Sequence, residues 1–146
     1  MTSVYFAARY SRREELLQYA QELEKRGVTV TSRWLKGDHQ ATDDDLECDL
    51  QWSASLAKDD LEDVERANML IEFSEEPRSV KTRGGRHVEM GYALALTKQD
   101  PYPGWMRYRV IVVGPRENVF DTLPSVVWYE TWEDCLAKEF PVMVRL

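Results

Sequence analysis

Glu89 stands in Val88-Glu89-Met90-Gly91-Tyr92-Ala93-Leu94-Ala95-Leu96, a run that is apolar at nearly every other position. A helix apolar on all sides is a buried one. A carboxylate carried into it must be paired, hydrogen-bonded or put to use, because leaving it bare is costly. Its place just after Gly84-Gly85 puts it in the first turn of the predicted helix, where the helix dipole favours the ionised form. An ionised carboxylate in a partly dry pocket is a competent nucleophile; the alternative is a structural acid that caps amides or pairs with an arginine. Asp60 is the second acid. Ala57, Asp60, Leu61 and Val64 fall at helical spacing, which places Asp60 at the edge of the apolar stripe and turns Asp59, Glu62 and Asp63 toward water. One such acid caps a neighbouring loop as readily as it does chemistry. Two converging on one cleft form the pattern of glycosyl chemistry, with one as nucleophile and the other handling protons or sugar hydroxyls.

Ser11-Arg12-Arg13-Glu14 reads as a capping box, in which the Ser11 hydroxyl caps a helix and Glu14 returns to the cap amide. Arg12 and Arg13 then occupy the first turn, where cations oppose the dipole. An anion seated on those amides would resolve the conflict, with Arg9 joining it, so this loop is a candidate phosphate site. The alternative is a pair of solvated arginines. His39 lies in an Asp-rich loop with no second ligand at metal spacing, so no metal site is expected. His87 precedes Glu89 by two residues and faces elsewhere on the helix, within reach of a substrate at the pocket mouth. Trp34, Trp52, Trp105, Trp128 and Trp132 are expected as core or interface anchors. No G-x-G-x-x-G follows the first strand and no P-loop motif is present, so neither dinucleotide nor P-loop chemistry is indicated.

The elements that must position these residues alternate strand and helix. Strands are predicted over 4–7, 28–31, 69–73, 109–113 and 126–129. Helices are predicted over 11–26, with Leu16, Leu17, Ala20 and Leu23 inward, over 46–67, with Leu50, Ala54, Ala57, Leu61 and Val64 in register, and over 86–98. A last helix opens at Thr131-Trp132-Glu133-Asp134, and residues 36–45 and 74–85 read as loops. The expected fold is α/β, a five-stranded mostly parallel sheet with helices on both faces, doubly wound in the flavodoxin or Rossmann manner. Ligands bind such sheets outside the carboxyl ends of the strands. That places residues 6–13, 73–89 and 114–120 on one rim.

Composition bounds the rest. The 146 residues make one domain, 1–146, with 43% hydrophobic residues to fill its core. Nineteen basic against 26 acidic residues, a net charge of −7, argue against polymeric nucleic acid as a ligand. No apolar run approaches the length of a membrane span, and the N-terminus runs straight into a strand without a signal-peptide stretch. Cys48 and Cys135 form neither a metal spacing nor a disulfide framework, so a cytoplasmic setting is the expectation.

Val4-Tyr5-Phe6-Ala7, Asp60-Leu61 with Val64 and Ala67-Asn68, the segment Gly85-Arg86-His87-Val88-Glu89-Met90-Gly91-Tyr92-Ala93, and Val113-Gly114 with Asn118 and Phe120 together resemble the nucleoside 2-deoxyribosyltransferase-like family. The resemblance runs from about Val4 to Trp132, and its most specific part is Glu-x-Gly-Tyr-Ala. That family includes transferases that move deoxyribose between bases and hydrolases that release a base from nucleoside 5′-monophosphates. The resemblance implies that Glu89 is the nucleophile attacking C1′ and that Tyr5 orients it. It also implies that Asp60 lies near sugar and base as a proton handler, and that Gly85 and His87 lie beside the substrate. Asn118 resembles a residue lent to a neighbouring subunit's site, which implies a homo-oligomer with a shared active site. The segment Ser74-Glu75-Glu76-Pro77-Arg78 lacks the base-holding aspartates of many members, and Ala8-Arg9-Tyr10-Ser11 replaces a small glycine-containing turn. The implied substrate is a small nucleoside or nucleotide, handled without a cofactor. A non-catalytic sensor binding a nucleotide in the same cleft is the alternative from another class.

Overall fold

The computed structural model describes residues 2–79, 83–98 and 107–142. Five strands, β1 (Ser3–Ala7), β2 (Thr29–Val30), β3 (Met69–Phe73), β4 (Arg109–Val113) and β5 (Val126–Tyr129), pair in parallel throughout, in the order β2-β1-β3-β4-β5. The helices are α1 (Arg13–Lys25), α2 (Asp43–Cys48), α3 (Leu50–Arg66), α4 (Gly85–Leu96) and α5 (Trp132–Glu139). This is the expected doubly wound sheet. The order in which strands are added reverses between β1 and β3, so the crevice outside their carboxyl ends is where a ligand is expected.

The period-2 alternation of β1 and β3 sorts side chains onto two faces. Phe6 and Phe73 meet edge to face at 5.2 Å, and Phe6 meets Trp132 of α5 at 5.8 Å. Tyr19 of α1 stacks on Trp132 at 4.8 Å. Each such aromatic pair adds about 0.5–1.5 kcal/mol beyond area burial. Tyr5 and Glu72 point the other way, toward α4. One face of the sheet is thus an aromatic core under α1 and α5, and the other carries the acids.

Several local expectations are corrected. Residues 46–67 form two helices, because Asp49 accepts a hydrogen bond from the Trp52 amide at 3.0 Å and caps α3 afresh. The expected loop also yields α2, started by a capping box between Thr42 and Asp45. Leu50, Ala54 and Ala57 are exposed, and Leu56 and Val64 hold α3 to the core. The Ser11 capping box does not form: residues Tyr10–Arg12 make a 3-10 turn, Arg12 takes the N-cap position of α1, and no side chain caps either. Asp63, expected toward water, is fully buried. It accepts from the Arg33 amide at 2.9 Å and from the Arg33 and Arg66 guanidiniums at 2.8 and 2.6 Å. Those two long side chains reach back over it, which a stripe of apolar residues cannot reveal. Of the five tryptophans, Trp34 and Trp132 are core and Trp128 is half-buried, Trp52 is exposed, and Trp105 lies outside the described residues.

Candidate active site

The site is assembled by β1, α3 and α4. Gly84, at a left-handed φ of 81°, turns the chain into α4; a side chain there would be strained. Gly85 is the first residue of that helix and lies exposed at its N-terminus. Four residues on, Glu89 accepts a hydrogen bond at Oε2 from the Tyr5 hydroxyl. Tyr5 itself is fully buried. Asp60, from α3, is close enough to act electrostatically on both. Tyr5, Asp60 and Glu89 therefore converge.

Burial dominates the electrostatics here. It pushes Glu89 up to about 8; the Tyr5 hydroxyl pulls the other way, while Asp60, Glu72 and Asp63 add to the rise. The expectation that the helix N-terminus keeps Glu89 ionised is corrected accordingly. Glu89 sits a full turn inside α4, beyond the reach of most of the dipole, in a site that penalises charge. Asp60 is raised to about 6, again mainly by burial, with His39 opposing and Asp63 and Asp59 reinforcing. The Tyr5 phenol is raised well above its ordinary value by burial and then by Glu89, so it remains a donor.

His39 is the residue that the pattern reading passed over. Its Nε2 lies 3.2 Å from Asp60 Oδ1. The loop that carries it is tied to the loop before α4, where Arg83 donates to the Ala41 carbonyl at 2.6 Å and to the Asp43 carboxylate. Nothing in the spacing of His39 signals this contact, because two turns of chain and a helix separate it from Asp60.

A second acidic cluster backs the first. Glu72, fully buried on β3, accepts from Arg86 at 3.0 Å, and Arg86 also holds Glu117 at 2.6 and 2.5 Å. Burial, then Asp121, raise Glu72 to about 8. Burial opposes ionisation at Glu117 too, yet the Arg86 hydrogen bonds hold it below its ordinary value. His87 is half-exposed beside this cluster, 3.6 Å from Glu72 and 3.7 Å from Glu117.

The remaining expected site residues lie elsewhere. Arg12 crosses to the aromatic face: its guanidinium sits 5.6 Å from the Phe73 ring centre and donates to the Ser74 carbonyl at 3.2 Å. It is held by Glu15 at 2.8 Å and approached by Glu75 at 3.7 Å, and Arg9 lies 4.0 Å from Glu75. Ser11 is exposed. The conflict between these cations and the helix dipole is thus resolved by carboxylates of the chain itself. Arg12 lines a cavity of about 270 Å³ with Tyr19, Phe73, Ser74 and Trp132. Gly114, at φ 119°, lets β4 end against this cavity; a Cβ there would meet Ser74 Oγ at 2.6 Å. His87 and Asn118 line a larger groove of about 740 Å³ with Met90, Leu94, Phe120 and Leu123. Asn118 also caps a 3-10 turn, accepting from the Phe120 amide at 2.9 Å. Neither cavity is lined by Tyr5, Asp60 or Glu89. The groove flanks α4 on the side away from Glu65 and Tyr92, which bond to each other. Among the described residues no cluster of three or more acids, histidines or cysteines could hold a metal ion.

A 2-deoxyribosyltransferase from Bacillus psychrosaccharolyticus superposes over 99% of this chain and 100% of its own, with a TM-score of 0.65 and 17% identity. The chain has that enzyme's fold. A CMP N-glycosidase from Clostridium botulinum is similar over 94% of this chain and 98% of its own, with a TM-score of 0.51 and 18% identity. No protein-family model matches the sequence, and no curated protein matches it.

Proposed function

We propose that the protein cleaves the N-glycosidic bond of a nucleoside through a covalent glycosyl intermediate on Glu89. The observation that carries this reading is a half-buried carboxyl hydrogen-bonded to a buried phenol of β1, with a second acid close enough to act on both electrostatically. The likeness to a deoxyribosyltransferase and a CMP N-glycosidase supports it.

In the resting site the pair Glu89 and Asp60 holds one proton near neutral pH, on Glu89. Reaction requires that proton on Asp60. Glu89, freed of it and steadied by the Tyr5 hydroxyl, attacks C1′. The C1′–N electron pair leaves on the base nitrogen, which takes the proton from Asp60. Water or a second base then attacks C1′ from the opposite face, Glu89 departs with its bonding electrons, and Asp60 receives the proton of an attacking water. Two inversions give net retention.

The substrate is a free nucleoside in preference to its 5′-monophosphate. Arg9 and Arg12 already face Glu15 and Glu75, and Arg12 lies on the opposite sheet face from Glu89. The site is completed in a homo-oligomer, in which Asn118 and the groove beside α4 meet a second copy. Exposed Val88, Val119, Phe120 and Leu123 around that groove support this arrangement.

The test is incubation with a panel of ribo- and deoxyribonucleosides and their monophosphates, followed by chromatography of released base. The expected result is base from nucleosides, little from monophosphates, and none from a folded Glu89→Gln variant. Tight nucleotide binding without product would overturn the enzymatic reading in favour of a sensor. Release at the wild-type rate by Glu89→Gln would overturn the mechanism.

A further inference from the structure

We propose that His39 is a positioning residue for the leaving-group acid, holding Asp60 so that one of its oxygens alone presents a proton to the departing base. The inference rests on the glycosyl reading above and goes beyond it by assigning the loop ahead of α2 a part in the reaction.

His39 Nε2 and Asp60 Oδ1 are 3.2 Å apart, and both atoms are sealed from solvent. Among the described residues neither atom completes a well-aligned hydrogen bond, and each is the ion-pair partner of the other. A buried polar atom without a partner is costly, and a small rotation that aligns the two groups would remove that cost for both. The imidazole reaches Asp60 from a loop fixed at each end. On one side Arg13 donates to the Leu35 carbonyl at 2.6 Å, just before Gly37 turns the chain at φ 86°. On the other, Thr42 caps α2 and Arg83 grips Ala41 and Asp43. The groups that act on Asp60 from its own helix are Asp59 and Asp63, both drawn toward Arg33, at 3.5 and 2.8 Å. Tyr5 and Glu89 also lie near enough to act on Asp60, and among the described residues His39 is its one ion-pair partner.

With the His39 N–H on Oδ1, the acid proton of Asp60 resides on Oδ2. As Glu89 forms its bond to C1′, the C1′–N bond breaks and its electron pair stays on the base nitrogen. The Oδ2 proton moves to that nitrogen, and the carboxylate left behind is held by the same N–H. When water later attacks C1′, its proton returns to Oδ2 and Glu89 leaves as carboxylate. His39 touches no reacting atom.

The experiment compares two substrates, a purine 2′-deoxynucleoside and its N7-methylated cation, whose base departs without needing a proton. His39→Ala should lower kcat on the unmethylated substrate by about 100-fold and on the cation by no more than about threefold. His39→Gln, which keeps an N–H donor, should recover most of the loss, with KM little changed in both variants. Equal slowing of both substrates would make His39 a merely structural residue and overturn the proposal, as would full activity of His39→Ala on the unmethylated one. A wild-type protein inert toward both substrates would instead overturn the glycosyl reading itself, and the proposal with it.

Discussion

At the scale of single residues, the decisive fact is that Glu89 and Asp60 are separated in proton affinity by their surroundings. Glu89 is raised to about 8 and Asp60 to about 6, so the proton is held more firmly on Glu89. Such a pair titrates as a unit. The reactive form carries one proton, so kcat/KM should follow a bell with limbs near 6 and 8. Below the lower limb both acids are protonated and no nucleophile exists; above the upper limb neither can supply the base with a proton. Asp60→Asn removes the acid, and its much reduced activity should rise with pH through the alkaline region where the wild type falls. Tyr5→Phe deletes the hydrogen bond that lowers Glu89, so its alkaline limb should move upward. Initial-rate profiles of the three proteins check this; superimposable profiles would contradict it.

At the scale of elements, α4 is fastened to β3 and to the loop before the 3-10 turn by Arg86, Glu72 and Glu117. Glu72 has a raised affinity for protons in the folded protein, at about 8. Its contribution to stability is therefore greatest below the ordinary carboxylate range and is lost as pH rises through about 8. Arg86→Met removes the one cation that offsets that loss. Its destabilisation, read from urea midpoints, should be modest near pH 5 and reach about 3–5 kcal/mol near pH 9. A deficit independent of pH would show that Glu72 is not the group at stake. Much of this architecture was legible in the chain. The strand runs, the apolar helix around Glu89 and the inward edge position of Asp60 follow from periodicity alone. What periodicity could not supply is contact across sequence: Asp63 buried under two arginines, His39 against Asp60, and Arg12 taken up by Glu15 and Glu75. Each depends on long side chains that reach back from exposed backbone, and no spacing rule encodes their direction. The split between α2 and α3 was missed for a local reason, since a capping aspartate inside a helical run does not interrupt its period.

At the scale of the whole molecule, the five-stranded sheet has its buried acids on one face and its aromatic core on the other, and the groove beside α4 faces outward with Asn118 at its edge. A site shared between copies makes a specific prediction. Glu89→Gln and Asn118→Ala, each inactive alone, should regain activity when mixed and allowed to exchange subunits. Random pairing of two equal populations restores about a quarter of the sites in a dimer. Phe120→Glu should give a monomer by sedimentation and lose activity together with its partner. A monomeric wild type with full activity, or a mixture that stays inert, would contradict the shared site.

The central claim is a covalent bond between one carboxyl and one anomeric carbon. It is tested most directly by rapid acid quench of the protein with a 2′-deoxynucleoside, followed by mass spectrometry of intact protein and of its peptides. The account predicts a single added deoxypentosyl group, mapped to the peptide bearing Glu89 and missing from Glu89→Gln. Turnover with no adduct under quench, or an adduct carried by another residue, would contradict it.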